Sequence, residues 1–238
     1  MLVHHRTTVA SLATAVALAV LLAPPLPGRD RAAEPMPGAA HAQPPRSTGP
    51  ARSCLRTLDR LGVRYKRTER PGIAIAVEVL GELGGVHYRG YRKRPLVLDC
   101  SLVVSLAVVG RDLTRHGITR ATYSSAYQRR NVRGSNRPSR HSYGLALDIH
   151  ELTGDELGTL RVIDDYEQGL GDDADCIGRP LTRGGAILRA LSCRFTESGL
   201  FRIVLSPDTD AAHHNHFHLE ALPWTERSER PGGAVEPR

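Results

Sequence analysis

Two short stretches of this chain carry residue types that could do chemistry together. Arg140-His141-Ser142-Tyr143-Gly144-Leu145-Ala146-Leu147-Asp148 holds a histidine and an aspartate with six residues between them. His213-His214-Asn215-His216-Phe217-His218 ends in a His-x-His pair. Neutral imidazoles and a carboxylate are the donors of a catalytic zinc site, which takes three protein ligands and keeps one position open. Six intervening residues exceed one helical turn and suit either the two ends of a turn and strand or a short hairpin. Residues two apart on a strand share a face, so His216 and His218 would point the same way. With eleven histidines in 238 residues, clusters arise by chance. The surroundings argue against chance here. Asp148 sits in the apolar run Leu145-Ala146-Leu147-Asp148-Ile149, and His216 and His218 flank Phe217 beside Leu219. A carboxylate among apolar strand residues is costly to bury unless it gains a partner, and a metal is an economical one.

These residues need strands to hold them, and the chain supplies strand-like runs at Ile73–Val79, Pro95–Asp99, Ala121–Tyr127, Leu145–Ile149, Arg161–Ile163, Phe201–Leu205 and His216–Glu220. Helical patterns cover Cys54–Leu61, Leu102–Arg115 and Gly184–Cys193. Strands and helices do not alternate regularly, so the expected fold is α+β with a small antiparallel sheet flanked by helices.

The ends of the chain read differently from its middle. His4, His5 and Arg6 precede an apolar run from Val9 to Ala23 that Pro24-Pro25 stop. That run is short for a membrane span and suits the apolar segment of an export signal, residues 1–23. Ala40-His41-Ala42 offers a cleavage site as late as residue 42. The alternative is retention as a signal anchor; with cleavage, no stable membrane span is expected. Residues 24–50 hold eight of the sixteen prolines and read as a flexible linker. The charged stretch 225–238, with Pro231-Gly232-Gly233, reads as a disordered tail. Residues 51–224 remain as one domain with one core. An exported protein with an even number of cysteines points to disulfides, and four cysteines allow three pairings. Cys54 with Cys100 and Cys176 with Cys193 is the preferred set, because each pair closes one contiguous segment. The net charge of +7, mostly arginine, favours anionic polymers. Outside the cytoplasm that means cell wall before nucleic acid, for which no aromatic-interleaved basic motif exists.

The early cysteine, Pro95-Leu96-Val97-Leu98-Asp99-Cys100, the His-x6-Asp block and Ala211-Ala212-His213-His214-Asn215-His216-Phe217-His218 resemble the extensin-like C-terminal domain family. That family in turn resembles zinc peptidases that include D-alanyl-D-alanine carboxypeptidases, murein endopeptidases and the Hedgehog signalling domain. Their shared pattern, Ser-x-His-x6-Asp and later His-x-His, stands here as Ser139-Arg140-His141 through Asp148, then His216-Phe217-His218. The resemblance implies a fold of that type, with Zn2+ on His141, Asp148 and His218. It implies His216 as general base and His213 as a further catalytic histidine, with His214 exposed. Arg130 would stabilise the carbonyl or hold substrate, with Arg129 as the fallback and Ser139 as a further substrate contact. Arg140 and Asn215 stand where many relatives carry acidic residues.

The function expected from this is zinc-dependent cleavage of peptidoglycan stem peptides or crosslinks, in the periplasm or outside the cell. Water would be activated by zinc and His216, and hydrolysis would fall off through roughly pH 6–7. The alternative is a non-catalytic peptidoglycan-binding module that retains the zinc fold.

Overall fold

The computed structural model describes residues 49–170, 176 and 178–228. The expected signal peptide and most of the linker and tail lie outside that range. Helix α1 (Pro50–Arg60) starts on a proline, whose missing N–H costs nothing in a first helical turn. Short strands β1 (Tyr65–Arg67), β2 (Ala76–Val79), β3 (His87–Gly90) and β4 (Val97–Asp99) follow. Asp99 then caps α2 (Cys100–Arg115), its side chain accepting the Ser101 N–H. Helix α2 is buried over most of its circumference through Leu102, Val103, Val104, Leu106, Val109 and Leu113, and forms the centre of the core.

After α2 come β5 (Arg120–Ser125), a 3-10 turn (Arg140–Tyr143) and β6 (Ala146–Gly154). Then follow β7 (Gly158–Arg161), α3 (Val162–Asp165), α4 (Arg183–Glu197), β8 (Phe201–Leu205), β9 (Phe217–Ala221) and α5 (Trp224–Ser228). Strands β1, β2 and β4 make one antiparallel sheet. The second sheet runs β3-β5-β6-β9-β8, with β7 also paired to β6. All its pairings are antiparallel except β3 with β5. The expected α+β class with antiparallel sheets therefore holds, and both disulfides form as paired above, Cys54–Cys100 and Cys176–Cys193.

Three local expectations need correction. The run Arg161–Ile163 is not a strand. The Arg161 N–H donates to Asp165 Oδ2 at 2.6 Å, and this local bond turns the chain into α3 after β7 ends. Residues 225–228 do not belong to a loose tail, because they complete α5. Arg227 is buried there, donating to Ser105 Oγ at 2.6 Å and the Leu200 carbonyl at 2.7 Å. Strand β3 was not expected, since His-Tyr-Arg-Gly shows too little apolar alternation to read as one.

Strand β6 is the element that positions the site. Strand β5 holds one of its edges; β9 and β7 share the other, β9 along 146–149 and β7 along 151–154. Its first half is buried on both faces, so Asp148 lies within the protein. No helix among the described residues is long and apolar enough to cross a membrane.

Candidate metal centre

Strand register brings the two motifs together. Asp148 on β6 is the Cα partner of His218 on β9, across an antiparallel pair joining residues 70 apart in sequence. His141 arrives from the 3-10 turn just before β6. Ser139 caps that turn by accepting the His141 N–H at 3.4 Å, and Gly144 closes it at φ 63. A side chain at Gly144 would be strained by that φ and blocked as well. Its Cβ would lie 2.7 Å from Ile73 Cδ1 and 2.8 Å from the Asp99 nitrogen. This packing fixes where the turn, and with it His141, sits against β4.

His141, Asp148 and His218 are all buried, and one donor atom from each lies within 4.8 Å of the others. Such a group can hold a metal ion. Asp148 Oδ1 is its hub, 2.6 Å from His218 Nδ1 and 3.2 Å from His141 Nε2. The far nitrogen of each ring is anchored. His141 Nδ1 donates to the Ala126 carbonyl at 2.8 Å, which leaves Nε2 as the bare nitrogen facing Asp148. His218 Nε2 lies 3.1 Å from Glu220 Oε1, so Nδ1 is the nitrogen presented inward. Outer hydrogen bonds of this kind select the tautomer and raise the basicity of a ligating imidazole. His141 Nε2 is moreover buried without a hydrogen-bond partner. A cation beside it would remove that deficit, so the residues fit a metal by burial, donor chemistry and supporting bonds.

Without a cation the charges arrange around a proton. Burial would raise the Asp148 pKa, but the His141 and His218 side chains outweigh it and hold the carboxyl well below its usual range. Burial also opposes charge on His218, yet its hydrogen bonds to Asp148 and Glu220 prevail and push it up to about 9. The metal-free protein therefore holds a proton on His218 at neutral pH, and a metal must displace it. Zinc binding near pH 7.5 should release about one proton, and affinity should rise about tenfold per pH unit up to about 9, then flatten. Calorimetry in buffers of different ionisation enthalpy checks the count; a pH-independent affinity would contradict it.

A model of the extensin-like protein C-terminus family matches residues 53–228. The chain belongs to that family. No curated protein and no solved structure matches it.

In this extensin-like domain further histidines line up beside the His141/Asp148/His218 group. His216 Nε2 lies 3.7 Å from Asp148 Oδ1, and its Nδ1 is 2.8 Å from Asn215 Oδ1. Burial pushes His216 down to about 4; Asp148 resists this, and the nearby His150, His213 and His218 add to it. It is neutral at physiological pH, with a nitrogen free to accept a proton. His213 packs against both His216 and His218, with ring centroids 5.1 and 5.7 Å away, and its Nδ1 is tied to Asp210 Oδ1 at 2.8 Å. His214 is exposed and turned back to the Ala211 carbonyl. Arg130 reaches the centre, NH2 lying 3.7 Å from Asp148 Oδ2. Arg129 is exposed and has no contact with the three ligand residues among the described residues. Ser139 is buried beneath the 3-10 turn as its cap, which is a structural task.

Two residues of the site were not anticipated. His150 follows Asp148 by two on β6 and stacks on His216, rings 5.0 Å apart, with Nε2 2.8 Å from Ser124 Oγ. Period-two alternation from Asp148 could have found it. Glu220 follows His218 by two on β9 in the same way. Arg140 stands behind it, Nε 4.0 Å from Glu220 Oε2, so the unusual arginine of the first motif neutralises the far side of this carboxylate. Glu220→Ala should weaken metal affinity by about 10–100-fold and Glu220→Gln by less, since the amide oxygen can still accept from Nε2. Unchanged affinity in a competition titration with both variants would remove Glu220 from this role.

Proposed function

We propose that the protein is a zinc-dependent peptidase that cleaves peptidoglycan stem peptides or their crosslinks outside the cytoplasm. The observation that carries this reading is the pairing of a buried His141/Asp148/His218 group with a neutral, unprotonated His216 at its edge. Two imidazoles and a carboxylate form the donor set of a catalytic zinc centre, and no thiolate competes for it, because all four cysteines are in disulfides. Zinc held there supplies a Lewis acid that polarises a carbonyl and makes water easier to deprotonate.

The chain's own residues do the rest. His216 takes a proton from water at Nε2 and returns it to the leaving amine, a role open to it because the ring is neutral at physiological pH. Asn215 holds its other nitrogen and so its ring orientation. Arg130 offers a planar fork of donors to carbonyl oxygen or a substrate carboxylate, and being largely exposed it can turn from Asp148 towards a ligand. His213 sits where it can assist the same proton transfer. The disulfides suit an oxidising compartment, as an exported wall enzyme requires.

The test is digestion of purified sacculi by the zinc-loaded domain, with soluble products identified by mass. Chelator-sensitive release of peptide fragments is the expected result, and their masses identify the bond. Binding to sacculi with no soluble product, with or without chelator, would replace this reading by that of a wall-binding module.

A further inference from the structure

Next to the metal centre lies a cavity of about 560 Å³ whose wall carries Arg70, Arg92 and Arg94, three tyrosines (Tyr91, Tyr123 and Tyr127), and no acidic side chain. None of the three guanidinium groups has a carboxylate partner among the described residues. Arg70 donates only to neutral oxygens, Thr68 Oγ1 and the Glu69 carbonyl. All three are solvent-exposed, and no acidic side chain lies on the wall between them. Three uncompensated like charges around one concavity repel one another, and an anionic ligand removes that cost.

The cavity and the metal centre share a wall. Ala126, which lines the cavity, gives its carbonyl to His141 Nδ1, and the Ser125 Oγ beside it lies 3.5 Å from the same nitrogen. Tyr91 packs on His150 at 5.6 Å, and His150 stacks on His216. A chain lying in the cavity thus rests against the segment that anchors His141 and against the first ring of a Tyr91–His150–His216 row.

Resting on the peptidase reading for the identity of the neighbouring centre, we infer that this cavity is a substrate subsite for an acidic peptide, its carboxylates held by Arg70, Arg92 and Arg94. The tyrosines favour a peptide over a bare polyanion. The rings offer apolar faces to a backbone and aliphatic side chains, while the arginine forks match carboxylate geometry. The site would then read free carboxylates on one side of the cut bond, and amidation of those carboxylates would be a natural way to escape it.

Equilibrium binding tests this without turnover. The zinc-loaded protein is titrated with a fluorescent stem tetrapeptide bearing free carboxylates, and with the same peptide fully amidated. The free acid should bind about tenfold tighter or more, with a preference that shrinks as salt rises. An Arg92→Gln/Arg94→Gln double variant should lose that preference and keep its affinity for the amidated peptide, its zinc content and its circular dichroism. Arg92→Lys/Arg94→Lys should restore part of it. Equal affinity for the two peptides, or a preference untouched by the glutamine variant, overturns the assignment. Arginine-dependent binding of polyphosphate in place of the peptide would also overturn it, in favour of a phosphate polymer. Arginine-dependent peptide binding with no hydrolysis would leave the subsite standing and remove the peptidase reading instead.

Discussion

His218→Gln should empty the metal site, whereas His216→Gln should keep the metal and lower turnover by about 10²–10⁴-fold, the usual range for loss of a general base. The two histidines are neighbours in sequence but differ in what holds them. His218 faces Asp148 at 2.6 Å, is backed by Glu220 and lies within the buried group. His216 stands 3.7 Å from the same oxygen and is held by Asn215 and the His150 ring. Metal analysis and kinetics on the same preparations separate the roles. Equal metal loss in both variants would show that both histidines hold the metal and make His213 the better base. The pH profile sharpens the test. A base works only while neutral, so its activity is lost as pH falls through its pKa. Burial holds His216 down to about 4 in the metal-free protein, and a cation beside it acts in the same direction, so the acid limb should fall below the pH 6–7 that an ordinary histidine would give.

Removing the Cys54–Cys100 bridge by a double alanine substitution should cost about 4 kcal/mol, measured by denaturant unfolding. The bond closes a loop with a sequence separation of 46, and the chain-entropy model gives this magnitude for such a loop. Cys176–Cys193, with a separation of 17, should cost about 3 kcal/mol. The longer bridge also ties α1 to the start of α2, one residue beyond Asp99. Asp99 Oδ2 accepts the Ile75 N–H at 3.0 Å, and the Asp99 N–H donates to the Gly144 carbonyl at 2.9 Å. Loss of the bridge should therefore also loosen the turn that carries His141, and metal affinity should fall with stability. A variant as stable as the parent would mean that the unfolded chain is already compact. A thiol assay on the exported parent should detect no reactive cysteine before reduction.

The candidate ligands were legible because their chemistry is expensive in the setting the sequence gives them. Asp148, His216 and His218 interrupt apolar strand runs, and a polar group placed there implies a partner. The longer elements were legible for the same reason of pattern: α2 and α4 appear within a few residues of their expected bounds, as do β5 and β8. What stayed hidden needed the strand faces to be known along with the motifs. Glu220 looked like the end of a strand until its place two beyond His218 put it on the Nε2 side. His150 looked like one histidine among eleven until the alignment of β6 and β9 set it on His216. Arg140 read as a departure from a motif, and only the fold shows the carboxylate it faces. Ser139 could be misplaced as a substrate contact because a capping hydroxyl and a binding hydroxyl look alike in sequence.

The pairing of β6 with β9 also decides when the metal can be captured. Side chains alternate across a sheet, so a slip of one residue between these strands would turn His218 away from Asp148 while leaving the ladder itself nearly intact. No misaligned chain offers the full trio; an unfolded one offers the local run His213-His214-Asn215-His216-Phe217-His218 without the carboxylate of Asp148 or the ring of His141 beside it. A metal ion held by all three residues would therefore report that the two strands have paired in this register. A chain carried unfolded across a membrane would complete this three-residue site only after folding at its destination.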